Sequence, residues 1–316
     1  MLLLALTPTR LEAKSRWRTH ALVVNSWGGA LGKAQAEAFF RPFAASSGAS
    51  VLHYIWDGNL PVLAERPPIG RGTWMLALME DSTARIACLQ GQLQRLGGSP
   101  GSADACGVPA LHDGIALAWD RGRVPSAPHW ADFWNVVRYP GKRGLRKDPR
   151  STLEIALMAD GVPASDVYTV LATPEGVARA FHKLSQLRPY IVWWTDAADS
   201  ARIIGNGSVL MTSAAAGEVA AMQDAAGHRD VGLQWDQSLD DVLCWGVATG
   251  LDDATRAKVR ALLTYMGQPE QVTRFAALYH GRPVSGPQPI PMDAAFWQAH
   301  LPELTKRFAD WLAAPS

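Results

Sequence analysis

Two short clusters in the chain pair tryptophan with carboxylate: Trp193-Trp194-Thr195-Asp196, and Trp235-Asp236 followed by Asp240 and Asp241. An indole face attracts an organic cation through its quadrupole, and a carboxylate adds charge-assisted hydrogen bonds to the same ammonium group. Each cluster closes an apolar run that reads as a strand, and open α/β sheets bind ligands beyond the C-terminal ends of their strands. The competing reading is core tryptophan beside solvated aspartate turns. Strand alternation also lets only one of Trp193 and Trp194 face a given cleft. A third candidate is Ser26-Trp27-Gly28-Gly29, between an apolar run and a helix. The P-loop pattern fails there at Trp27 and at Ala34, and glycines at 28, 29 and 32 miss the dinucleotide fingerprint. What is left is a glycine-rich helix start whose N–H groups suit a carboxylate or phosphate, or a tight turn that needs glycine for its backbone.

Spacing offers little to catalysis. The eight histidines, at 20, 53, 112, 129, 182, 228, 280 and 300, form no short metal-ligand spacing, so neither a metal nor a cofactor is expected. The chain has no G-x-S-x-G elbow and no C-x-x-C pair. An enzyme would need a cleft aspartate, or Cys244, which has no evident base. Cys88 and Cys106 flank a Gly/Ser-rich loop. Joined, they would contribute roughly 3 kcal/mol by the loop-closure argument; the alternative is two unrelated thiols.

The 316 residues, 48% hydrophobic and 19% charged, suit about two domains with ample core and exclude a disordered chain. No apolar run approaches the ~20 residues of a membrane span. A formal charge of +1 argues against a broad basic field for nucleic acid. Thirteen tryptophans leave core and ligand surface both open. The start, MLLLAL, is either a truncated signal segment or an ordinary terminus, since it lacks basic residues and is short for a signal.

The elements that must position these groups alternate. Apolar runs at 21–25, 50–55, 73–79, 115–119, 190–194, 209–212 and 231–235 predict strands. Helical stripes separate them, such as Ala36, Phe39, Phe40 and Phe43, and Ile86, Leu89, Leu93 and Leu96. Asp148-Pro149 and Thr173-Pro174 are helix caps. Three helical stripes make up the tail, the last being Trp297, Leu301, Leu304, Phe308 and Trp311. Strand–helix alternation predicts an α/β sheet with parallel crossovers.

Six collinear stretches carry a resemblance: VVNSWGGALGKAQAEAFFRPFAASSGASV (23–51), WADFWNVVRYPGKRGLRKDPRSTLEIALMADG (130–161), ARAFHKLSQLRPYIVWW (178–194), GNGSV (205–209), WDQSLDDVLCWGVATG (235–250) and YMGQPEQVTRFAALY (265–279). The chain resembles the extracellular solute-binding proteins of ABC transporters, of the spermidine/putrescine type. That resemblance implies a two-lobed α/β fold of the type II periplasmic-binding class, each lobe a mixed sheet flanked by helices, with a helical C-terminal tail. It implies a residual signal segment at 1–20, a first lobe from 21–113 plus 246–316, and a second lobe from 114–245. Hinge crossings would lie near 113–115 and 243–246, and the tail would pack on the first lobe. The protein would be a periplasmic monomer without enzymatic activity. It would close on a small amine-bearing solute and deliver it to ABC permease subunits; a sensor role on the same fold is the alternative.

By the same resemblance Trp27 and Gly28 reach the cleft, and Asp148 receives a ligand ammonium group. Trp194, Thr195, Trp235, Asp241 and Asp81 complete the expected ligand-binding set, with Ser151 where the family has a second carboxylate. The sequence departs from the polyamine pattern at Ser151, at Leu243 in place of an aspartate, and at Ser213-Ala214-Ala215-Ala216-Gly217, which lacks a tryptophan. Loss of a carboxylate partner would cost a polyamine 100-fold or more in affinity, by the order-of-magnitude cost of an unpaired buried charge. Arg150 and Arg202 keep an anionic or zwitterionic solute open.

Overall fold

The computed structural model describes residues 21–56, 58, 74–97, 106–224, 227, 229–281 and 287–314. The expected signal segment at 1–20 lies outside the described residues. Strand β1 (Leu22–Ser26) is almost wholly buried, as its apolar sequence requires, and lies parallel between β2 (Val51–Ile55) and β3 (Leu76–Glu80). The crossover from β1 to β2 runs through α1 (Gly29–Gln35), a π-helical stretch at Ala36–Phe40, and α2 (Arg41–Ser47). Helix α3 (Asp81–Leu89) leaves β3.

Two long strands then tie the molecule together. Strand β4 (Gly107–Asp120) pairs antiparallel with β8 (Val231–Val247), which also pairs with β3. The other edge of β4 takes β7 (Met211–Ala215), followed by β5 (Arg143–Arg146) and β6 (Ile191–Trp194). The sheet order is β2-β1-β3-β8-β4-β7-β5-β6, with β9 (Ile290–Pro291) paired on β8. Helices α4 (Trp130–Trp134), α5 (Pro149–Ala159), α6 (Val167–Leu171), α7 (Pro174–Leu187), α8 (Ala197–Gly205) and α9 (Ala216–Gln223) clothe the second half. One core gathers Leu22, Val24, Leu31, Leu76 and Leu243; another gathers Leu117, Leu145, Leu153, Phe181 and Leu184. The fold is the expected two-lobed α/β architecture.

Two local expectations change, and one strand is unexpected. The stripe Ile86, Leu89, Leu93, Leu96 is not one helix: α3 stops at Leu89, which is 57% exposed, Gly91 turns the chain at φ 70°, and Leu93 bridges to Ala248. Strand β8 does not end at Trp235. A bulge holding Gln237 at φ 57° interrupts its pairing between Gln234 and Leu239, and the strand runs on to Val247. Strand β5 has only one apolar side chain, Leu145, and no alternation to announce it. Its Arg143 is buried because Phe133 O, Tyr139 O and Gly141 O accept hydrogen bonds from the guanidinium at 2.6, 2.6 and 2.8 Å.

The tail divides. Helices α10 (Asp253–Met266) and α11 (Pro269–Leu278) pack on the first half, with Phe275 stacked 5.0 Å from Phe39. Helix α12 (Ala294–Ala313) instead buries Trp297, Leu301, Leu304 and Phe308 in the core that holds Phe181 and Leu184. The last helix of the segment 246–316, expected in the first lobe, packs against α3 of the first half and α5 of the second. The chain runs alongside β8 as β9, and the apolar stripe of α12 joins a core that holds Ile86 of the first half and residues of the second.

The alternative left open by the cysteines is settled: Cys88 and Cys106 form a disulfide, buried with Trp74 and Met79.

Candidate ligand-binding site

A cleft with about 430 Å³ of empty space, open solvent included, lies at the junction of the halves. The parallel strands of the two halves run in opposite directions towards the middle of β4 and β8, β3 ending at Glu80 opposite Leu243 and β7 at Ala215 opposite Ile115, so residues that follow the two sets converge. Trp27 follows β1, Trp56 follows β2, Arg146 ends β5, Trp194 ends β6 and Ala215 ends β7; all line the cavity. Asp113 and Ile115 reach it from β4, and Asp241 from β8. Thr195, Asp196 and Ala197 form its rim at the start of α8, where Asp196 Oδ1 accepts from Ala198 N at 2.9 Å.

The aromatic wall is anchored unevenly. Trp56 donates from Nε1 to Leu78 O at 2.9 Å, which fixes its ring. Trp194 is 3% exposed, and its indole N–H has no hydrogen-bond partner among the described residues. A buried donor without an acceptor, on a residue that lines a cavity, suits a ligand oxygen or a water.

The charges are concentrated. Asp113 is 2% exposed and accepts from Tyr279 Oη at 2.7 Å. Burial pushes its carboxyl up to about 7, with the Tyr279 hydrogen bond opposing and Glu218 adding like-charge repulsion. Asp241 is 4% exposed; burial and the neighbouring Glu80 carboxylate raise it well above the ordinary range, against the pull of Arg146 and Arg150. Behind them, Arg146 pairs with Glu80 at 2.5 Å. Arg150 pairs with Glu80, with Asp148 at 2.7 Å, and with Thr83 Oγ1 at 2.9 Å. Burial would lower the Arg150 guanidinium, but Asp148 and Glu80 more than offset it, so the charge is retained. Burial would raise Asp148, but Arg150 and Arg146 hold its carboxyl well below the usual range. The cavity can therefore hold an ammonium group among aromatic faces and carboxylates, and a carboxylate on Arg146.

The structure brings Trp27, Trp194, Thr195 and Asp241 of the sequence-derived set to the cavity. Gly28 adjoins it: a Cβ there would stand 3.6 Å from Asp196 Oδ2. The other four lie elsewhere. Asp148 caps α5 and faces Arg150. Ser151 is fully buried at φ 61°, in the broken first turn of that helix. Asp81 pairs with Arg85 at 2.9 Å. Trp235 lies against Gly114, where a Cβ would meet its ring at 2.6 Å. Sequence reasoning missed Trp56, Asp113 and Arg146 as lining residues. The strand-end rule that found Trp194 applies equally to Trp56. Arg146 lies at the end of the unread strand β5. Cys244 is buried, and burial pushes its thiol up, the reverse of what a nucleophile needs.

A family model described as bacterial extracellular solute-binding protein matches residues 70–288. The gamma-aminobutyric acid-binding protein of Pseudomonas aeruginosa is 34% identical over 341 residues, covering 98% of this chain and 96% of the relative. Among solved structures, MotA of A. tumefaciens B6 in complex with glucopine has a TM-score of 0.81 at 22% identity, covering 92% of this chain and 99% of that one. The GABA receptor Atu4243 has a TM-score of 0.74 at 23% identity, covering 94% and 98%. The two structures share the fold. The narrower spermidine/putrescine label rests on none of these matches. The chain belongs to the bacterial extracellular solute-binding proteins, a family of transport binding proteins rather than enzymes.

Proposed function

We propose that the chain is the solute-capturing component of an ABC importer, and that its solute is a small zwitterion of the ω-amino acid kind. The carrying observation is the division of charge in one cavity: Asp113 and Asp241 beside Trp27, Trp56 and Trp194, with the single cationic group Arg146 among the lining residues. A guanidinium has five N–H donors, more than the Glu80 contact uses, so Arg146 retains capacity for a solute carboxylate. A polyamine would bring only cations to that guanidinium. The binding of gamma-aminobutyrate by the 34% identical relative supports the same reading. Solute contacts both halves and so favours the closed arrangement by its differential affinity, with β4 and β8 flexing near 113–115 and 243–246. The loaded protein then presents the solute to permease subunits, as a periplasmic monomer.

Calorimetric titration of the purified chain with gamma-aminobutyrate, β-alanine, putrescine and spermidine tests this. Saturable binding of the amino acids, at least tenfold tighter than of putrescine, is the expected result. Tighter binding of putrescine or spermidine overturns it.

A further inference from the structure

Glu218 stands on α9 of the second half, with the adjoining Val219 in the core that holds Trp194 and Ile204. Its carboxylate reaches into the first half and accepts from Ala30 N at 2.9 Å (Oε2) and from Leu31 N at 3.0 Å (Oε1). The glycine-rich helix start at Trp27-Gly28-Gly29 thus meets an anion, and the chain itself supplies it. Fit at the contact is close. Gly29 lies at φ 67°, and a Cβ there would stand 2.5 Å from Glu218 Oε2 and 2.7 Å from Ala198 Cβ. Gly217, one residue before Glu218, has a position where a Cβ would stand 2.2 Å from the Tyr279 ring. Both glycines are placed where an added methyl would hold the halves apart.

Neither Glu218 nor Ala30 nor Leu31 lines the cavity. Resting on the closure reading above, we infer that Glu218 is a closure-positioning residue. It joins the halves through the backbone N–H groups of Ala30 and Leu31, and so sets solute affinity without touching solute. Charge-assisted hydrogen bonds from two backbone donors to one buried carboxylate are worth more than neutral ones, and they exist only while the halves are together. Their contribution adds to whatever the solute supplies and shifts the open–closed balance in both the empty and the loaded protein. Solute escapes through opening, so the contact acts on koff.

The test uses the full chain with Glu218→Gln, Glu218→Ala and Gly29→Ala. Small-angle scattering of the solute-free protein reads the open–closed balance, and stopped-flow tryptophan fluorescence with gamma-aminobutyrate reads kon and koff. All three variants are expected to expand the solute-free protein. They should also raise koff about 5–50-fold while kon changes much less, the range of an ordinary coupling free energy. The double variant Glu218→Ala/Gly29→Ala should be no worse than the stronger single one, because both act on one contact. Circular dichroism identifies any variant that has lost its fold, and the near-isosteric Glu218→Gln then decides. Unchanged scattering and unchanged koff in a folded Glu218→Gln overturn the inference. A chain that binds no amino acid overturns the proposed solute instead, and the scattering arm still decides the role of Glu218.

Discussion

Asp113 and Asp241 stand directly opposite each other in the antiparallel register of β4 and β8, and both line the cavity. Side chains of directly paired residues project from the same sheet face, so two buried carboxylates share one space at the junction of the halves. Like charges in such a site are relieved by a bound proton or by a cation. Burial holds Asp113 at about 7, which supplies the proton when the cavity is empty. The ammonium group of the proposed solute would replace it.

Proton release should therefore accompany solute binding. As pH falls below about 7 the Asp113 proton binds more firmly and competes with the ammonium, so affinity drops toward pH 5. Calorimetry at pH 6 in buffers of differing ionisation enthalpy should show release of up to one proton per solute. Asp113→Asn should reduce that release and weaken binding about 30-fold or more. Binding heats independent of buffer would contradict the shared-proton arrangement.

Arg146 should separate amino acids from amines. Arg146→Met removes the carboxylate partner and should weaken gamma-aminobutyrate binding by about 2 kcal/mol or more, while binding of n-butylamine changes little. Equal losses for both ligands would place the solute carboxylate elsewhere.

The indole N–H of Trp194, without a partner among the described residues, gives a narrower expectation. Trp194→Phe keeps an aromatic face and removes the donor, so affinity should fall about 2–10-fold, the worth of one hydrogen bond. Trp194→Ala loses the face as well and should fall further. Titration by differential scanning fluorimetry reads both.

Glu154, fully buried on α5, contributes to the pH dependence of stability. Tyr168 Oη and Trp297 Nε1 donate to its Oε1 at 3.0 and 2.7 Å, and Oε2 has no partner among the described residues. Burial raises its carboxyl to about 7 against these hydrogen bonds. A carboxyl raised in the folded state binds more protons folded than unfolded between the two pKa values. Its stabilising contribution is full below the unfolded value and is lost as pH rises toward 7. Glu154→Gln removes this slope while keeping an acceptor for Trp297. Relative to the natural chain it should gain roughly 1–3 kcal/mol between pH 5 and pH 8, measured by urea unfolding at each pH.

The sequence shows the strands and helices through local signals, and it shows the site only where a local signal coincides with a strand end. Runs such as 21–25 and 190–194 are apolar enough to be strands in any context, and Trp27 and Trp194 stand at their ends. Trp56 obeys the same rule at the end of β2. Nothing local distinguishes Arg143 and Arg146 from surface arginines, because their burial rests on carbonyl and carboxylate partners from other segments. Asp148 has the converse problem. It sits at a helix start, as the resemblance implied for an ammonium-binding carboxylate, but Arg150, two residues on, takes its charge. The Glu218 contact spans 187 and 188 residues of chain, and no periodicity encodes such a pairing.

Helix α12 has a consequence for how the protein is made. Trp297 and Phe308 are synthesised long after most of the core they fill, whose other members begin at Ile86. Until they arrive, Glu154 lacks its indole donor and Trp193 lacks the ring that meets it edge-on at 5.6 Å. Domains that close on themselves fold as they emerge during synthesis. Here the middle of the chain cannot complete its interior that way. Its final packing waits for α12, so this core stays incomplete in the nascent chain until that helix has been made.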